Sequence, residues 1–194
     1  MRRARIARTA AAAILAGALA WPRSVSADTV SVPVGLQVDL FTKVADYDKT
    51  LLGRAEGVVR VLVVIRSRVP ESASIGARVL NALSSASRIS GLPHEDSSVE
   101  FTDVASLVAR CKAHSIGILY MTPGLTDVDE ALARALADLP VLSVSASAEG
   151  VTKGMTLGFD LVGAKPKLLV NLSACRRQGV QLSSDVLKIA TVVE

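Results

Sequence analysis

The chain has 194 residues, with 22 Lys+Arg against 18 Asp+Glu, a formal charge of +4 and a pI near 9.3. Arg2, Arg3, Arg5, Arg8 and Arg23 all precede the first acidic residue, Asp28, so the rest of the chain carries 17 basic against 18 acidic groups. A near-neutral body lacks the basic footprint of a nucleic-acid or anionic-membrane binder. One Trp, two Tyr and three Phe offer few platforms for sugars or unstacked bases.

Residues 1–27 read as a secretory signal peptide. Four arginines start it, an apolar run over residues 9–21 follows, and Pro22 leads to Val25-Ser26-Ala27, the small-residue pattern before a cleavage point between Ala27 and Asp28. The run falls short of the roughly 20 apolar residues of a membrane span. No Cys follows it to carry a lipoprotein anchor. The expectation is export to the periplasm and one domain over residues 28–194, with residues 28–32 and 84–98 its flexible parts.

Leu36, Leu40, Val44, Tyr47 and Leu51 recur at three- and four-residue spacing, which predicts a helix over residues 35–52. Residues 58–65 are nearly all aliphatic, as in a strand buried on both faces of a parallel sheet. Ile75, Val79, Leu83 and Ala86 mark a second helix, and Val99 and Phe101 a weak peripheral strand. Val104, Leu107, Val108 and Cys111 stripe a third helix capped by Thr102. Residues 116–121 form a buried strand that Pro123-Gly124 ends. Leu125, Val128, Leu132 and Leu136 line a fourth helix, and residues 140–144 return as a strand.

Met155, Leu157, Phe159 and Leu161 then alternate with Thr156, Gly158 and Asp160, the pattern of a half-exposed strand. A turn over residues 162–166 sends residues 167–172 back as its hairpin partner. Residues 173–178 form a helical turn closed by Gly179. A terminal helix starts at Ser183, with Val186, Leu187, Ala190 and Val193 on its apolar face. Alternating strands and helices give a mostly parallel sheet flanked by helices, and the tail adds an antiparallel hairpin and a last helix. The class is α/β.

Catalytic constellations are absent, so no enzyme, cofactor or metal centre is expected. His94, in Pro93-His94-Glu95-Asp96, reads as part of a solvated loop, and His114 as a cation suited to a helix end. Gly150-Val151-Thr152-Lys153-Gly154 has only a superficial likeness to a phosphate-binding turn. Ligands of open parallel sheets collect beyond the carboxyl ends of the strands. Arg66, Arg68, Thr122 and Ser145 are therefore the candidate ligand-binding residues. In an oxidising compartment Cys111 and Cys175 fit either a disulfide or two separate buried thiols.

The tail is the most specific part. Gly154-Met155 opens one strand and Lys167 to Asn171-Leu172 returns. Ser173-Ala174-Cys175-Arg176-Arg177-Gln178-Gly179 then leads into Leu182-Ser183-Ser184 and Leu187-Lys188-Ile189-Ala190. A hairpin ending in Val-Asn-Leu, an Arg-rich turn to Gly, then Leu-Ser-Ser and Leu-x-x-Ala, resembles the YfiR-like family of small periplasmic α/β proteins. Leu169 stands where that family commonly carries Phe. The resemblance implies a regulator that binds the periplasmic domain of an inner-membrane signalling protein, a diguanylate cyclase or a sensor kinase, and so lowers cyclic-di-GMP and biofilm output. It implies disulfides from two cysteine pairs in the family, against one pair of cysteines here. The hairpin with Asn171, Arg176 and Arg177 is the candidate partner surface, and a homodimer is a further assembly to test. The other functional reading is a periplasmic small-molecule binding protein.

Overall fold

The computed structural model describes residues 32–193, so the signal-peptide reading and its Ala27-Asp28 cleavage point lie outside the described residues. The first helix, α1 (Val34–Asp46), buries Val34, Val38, Phe41, Val44 and Ala45 on one stripe. It stops short of the predicted end, and a separate turn, α2 (Leu51–Arg54), follows. Asp48 makes the break: its Oδ1 accepts the Thr50 N–H at 3.0 Å and the Thr50 hydroxyl at 2.7 Å. An Asx side chain bonded to nearby backbone in this way competes with helix continuation. Tyr47 is consequently turned outward.

The next elements are β1 (Val59–Ile65), α3 (Pro70–Leu83), β2 (His94–Glu100), α4 (Val104–Ala113), β3 (Ile118–Met121), α5 (Asp129–Ala135) and β4 (Leu142–Ser145). The chain ends with α6 (Ala148–Thr152), β5 (Leu157–Val162), β6 (Lys165–Asn171), α7 (Leu172–Arg177), α8 (Ser184–Ile189) and β7 (Thr191–Val193). Seven strands form one sheet in the order β2-β1-β3-β4-β5-β6-β7, parallel throughout except for the antiparallel β5–β6 hairpin. Alternate residues of β1 feed two cores. Val61 and Val63 join Phe41, Val79 and Val186 on one face, while Leu62 and Val64 join Leu107, Leu132 and Leu136 on the other.

Several boundaries differ from the expected ones. Residues 84–98 are held by an Ile89–Leu92 bridge and by the ladder of β2 on β1. β2 is the weak peripheral strand expected around Val99, which packs on the α4–α5 core; its start lies further back, in the polar run His94–Ser98, and Phe101 falls just beyond it. Asp103, not Thr102, caps α4, its Oδ1 accepting the Ser106 N–H at 2.8 Å. The hairpin turn narrows to Gly163 and Ala164, both with positive φ, the geometry of a type I′ turn. The terminal helix ends at Ile189, and the β-branched Thr191-Val192-Val193 pairs with β6 instead. Thr156, just before β5, is buried on Ser143 of β4, and Gly158 is buried beneath α6; a Cβ at Gly158 would collide with Val151 and come within 2.8 Å of the Ser147 carbonyl.

Asp48 also fastens the two ends of the fold. Its Oδ1 accepts the Gln181 N–H at 3.1 Å, and its Oδ2 lies 2.5 Å from the Arg54 guanidinium, with both side chains buried. Around them the Lys49 N–H donates to the Gln181 carbonyl, the Ser183 N–H to the Tyr47 carbonyl, and the Thr50 hydroxyl to the Gly179 carbonyl. Burial raises the Asp48 pKa, but Arg54 and the Thr50 donors outweigh it and hold the carboxyl below its usual range. This contribution is therefore complete above the ordinary carboxylate pKa and is lost as pH falls through the depressed one. Asp48→Ala leaves the Arg54 charge buried and is expected to cost about 3–5 kcal/mol at neutral pH. Urea unfolding should show this as a lower midpoint, and the gap from wild type should shrink below about pH 4.

Candidate functional site

The carboxyl ends of the strands hold residues already engaged by the protein. The Arg66 guanidinium donates to both carboxylate oxygens of Asp127, at 3.0 and 3.2 Å, and lies 5.7 Å from the Phe101 ring centroid. The Thr122 hydroxyl donates to the Val64 carbonyl at 2.7 Å and lies 2.6 Å from the Ser72 hydroxyl, which in turn accepts the Arg66 N–H at 2.7 Å. Ser145 is buried and accepts the Ser147 N–H at 3.3 Å. Arg68 alone of the four is exposed. Three of these candidates thus stitch β1, β3 and β4 to their loops.

His94 is not in a solvated loop but begins β2. Its ring nitrogens lie 2.8 Å from an Asp96 carboxylate oxygen and 2.9 Å from the Ala86 carbonyl, tying the edge strand to the end of the α3 segment. Burial lowers its pKa, yet the Ala86 carbonyl and Asp96 outweigh it and the net shift is upward. The protonated ring therefore stabilises the fold below the ordinary histidine range, and the effect fades as pH rises through the raised value.

The cysteines lie on opposite sides of the sheet. Cys111 packs in the α4–α5 core and Cys175 in the α1–α3 core, both as free buried thiols. Burial pushes Cys111 up to about 11 and Cys175 up to about 12, with the Asp48 charge adding to the latter. Neither is poised as a thiolate nucleophile.

The three partner-surface residues fall into two kinds. Asn171 is buried, caps α7 by accepting the Ala174 N–H at 2.8 Å, and donates to the Val151 carbonyl at 3.1 Å. Its side chain serves the fold. Arg176 and Arg177 are exposed. Arg177 borders a cleft of about 540 Å³ that Arg134 and Lys153 share, with Glu130 on its rim. Glu130 is paired with Arg134 at 2.5 Å and Glu149 with Lys153 at 2.6 Å, whereas Arg177 has no ion-pair partner among the described residues. Lys153 enters the cleft because Gly150–Gly154, seen in the sequence only as a loop-like run, contains most of α6. Five residues are too few to display a helical period.

The hairpin projects beyond this region. All seven residues of segment 161–167 are exposed although the two strands remain paired. Leu161 and Pro166 share one face, and Val162 with Lys165 and Lys167 the other. β6 separates the hairpin tip from α7; its seven residues, at about 3.3 Å each, span roughly 20 Å. The hairpin tip and the start of α7 therefore lie at opposite ends of β6.

Residues 72–191 match the YfiR/HmsC-like family. The chain belongs to the YfiR/HmsC-like family. No curated protein sequence matches it significantly. Solved structures share the fold of this YfiR/HmsC-like chain at low identity. A conserved domain protein from Vibrio cholerae is 14% identical with a TM-score of 0.57, covering 84% of this chain and 60% of its own. An ABC domain from Streptococcus pneumoniae in complex with L-Trp is 14% identical with a TM-score of 0.61, covering 84% and 62%. A ligand-free, open substrate-binding protein with adhesive properties from Clostridium difficile is 13% identical with a TM-score of 0.54, covering 84% and 60%. The YfiR/HmsC-like chain thus spans about 60% of the length of these proteins.

Two measurements check the roles assigned here. A thiol reagent should release almost no chromophore from the native protein within minutes and two equivalents in guanidinium; rapid reaction in native buffer would contradict the buried thiols. Asn171→Ala should lower stability by about 1–2 kcal/mol in chemical unfolding through loss of the α7 cap.

Proposed function

We propose that this protein is a periplasmic regulator that binds the periplasmic domain of an inner-membrane signalling protein, a diguanylate cyclase or a sensor kinase, and restrains it. Membership of the YfiR/HmsC-like family over residues 72–191 carries this reading. That membership supports a periplasmic regulator of cyclic-di-GMP signalling in general, and restraint of a cyclase would lower biofilm output. The hairpin segment 161–167 supplies a contact surface suited to this role. It is a rigid ribbon fixed by backbone pairing, with apolar Leu161 and Val162 beside Lys165 and Lys167, all facing solvent. Burying exposed aliphatic side chains stabilises association by roughly 25 cal/mol per Å² of apolar surface, and preordered anchors lose little entropy on docking. Arg176 and Arg177, on α7 beyond the other end of β6, offer a second, cationic contact.

A second reading, a receptor for a small solute, draws on the fold shared with the L-Trp-bound domain and the substrate-binding protein. Stabilisation by several degrees in a thermal-shift series of L-Trp and other amino acids would favour it.

Capture of periplasmic domains from diguanylate cyclases and sensor kinases of the same organism tests the first reading. Leu161→Asp with Val162→Asp should reduce capture at least tenfold without lowering the melting temperature, and Arg177→Glu should weaken it less. Unchanged capture by both variants would remove these surfaces from the interface.

A further inference from the structure

Asp129, at the first turn of α5, is 1% exposed, yet its Oδ1 has no hydrogen-bond partner among the described residues. Buried carboxylates are ordinarily paired or hydrogen-bonded. α6 lies directly over this one. A Cβ at Gly150 would be 3.1 Å from Asp129 Oδ2 and would collide with the Ser145 hydroxyl. Only glycine at this position lets α6, the end of β4 and the start of α5 come together.

The charged groups around Asp129 do little to offset its ionisation. Asp127 precedes α5, while Glu149 and Lys153 face it from α6. Two of the three are like charges. Lys153, the cation among them, is already held by Glu149 at 2.6 Å and by the Thr126 carbonyl at 2.6 Å. Arg66 is similarly occupied by Asp127. Burial above all, then the neighbouring Glu149 and Asp127, outweigh Lys153 and raise the Asp129 carboxyl to about 6.

We propose that Asp129 is a proton-operated latch on α6: protonated, it lets α6 seat on α5 and β4; ionised, it drives α6 to open and carries Lys153 out of the cleft shared with Arg134 and Arg177. The sign follows from linkage. The seated state holds the proton more tightly than the open one, so seating strengthens as pH falls from about 6 toward the ordinary aspartate value, and levels off at its weakest above about 6. The latch is independent of which protein or solute uses the cleft.

Hydrogen exchange on the full chain at pH 5.0 and 7.5 tests it, read at the amides of Lys153, Gly154 and Met155, which donate to the Glu149, Val151 and Gly150 carbonyls. After correction for intrinsic rates, their protection in wild type should rise at pH 5.0 about tenfold beyond any rise at the β1 amides, which also report protonation of His94 on the neighbouring strand. A shift of one pKa unit between seated and open states is already worth tenfold. Asp129→Asn should give equal protection at both pH values, near the acid wild-type level. A wild-type pH ratio retained in Asp129→Asn overturns the latch, as does an equal change at the β1 amides. Should that variant fail to fold, carbon-13 titration of the Asp129 carboxyl in wild type decides. A midpoint matching that of α6 protection supports the latch, and midpoints more than one pH unit apart overturn it.

Discussion

A single buried carboxylate joins the two ends of this molecule. Asp48 breaks the opening helix, pairs with Arg54 in the interior, and accepts a backbone N–H from a residue 133 positions away. None of these contacts is replaceable by water, because the pair is sealed off. The position of α1 on the sheet, the route of the chain from Gly179 to Ser183 and the entry into α8 all depend on this group. Removing a charge from such a pair costs more than the pair contributes over a well-packed apolar pair, since the remaining partner stays desolvated. The knot is thus a constraint on geometry first and a source of stability second.

What the sequence discloses follows where side-chain periodicity is decided by burial. β1 and β3 are covered on both faces, so Val-Leu-Val-Val and Ile-Leu-Tyr-Met runs announce them. α1, α3 and α4 each bury one stripe and are visible at helical spacing. Elements that obey other rules are hidden. β2 shows only at Val99, its polar start at His94–Ser98 giving no signal, α6 is too short to show a period, and Thr191-Val192-Val193 continues an apolar pattern that a helix could equally use. The end of α1 depends on a side chain bonding to its own neighbours and to a distant loop, which no local pattern records.

The candidate surface was legible in part. Arg176 and Arg177 are solvent-facing, as their place in a polar turn suggests, but Asn171 beside them turns inward to cap the helix. Asparagine at a strand-to-helix junction fits either role, and only the positions of the Ala174 N–H and the Val151 carbonyl decide between them. Likewise Arg66 and Thr122 lie at the carboxyl edge where ligands gather, yet their donors are spent on Asp127 and on Val64. Lys153 and Arg134 could not be joined to Arg177 from sequence, because a crossing of three separate helices brings them together. The two lateral edges of the sheet also differ in kind. β2 carries Glu95, Asp96 and Glu100, which discourage strand addition, while at the opposite edge the short β7 covers only Leu169–Asn171 of β6.

The closure made by Asp48 has a consequence for the order in which the chain can become a protein. α1 is among the first parts synthesised, but the loop that completes its seat starts near Gly179, and β7 joins the sheet only through the last few residues. Contacts at such sequence separation carry a loop-closure entropy that must be met before they return any stability. A growing or threading chain can therefore assemble the central strands and their helices while its opening helix stays unanchored. The segment from Gly179 to Ser183 therefore completes the fold late, and without it the first helix loses its mooring although the two lie far apart in the sequence.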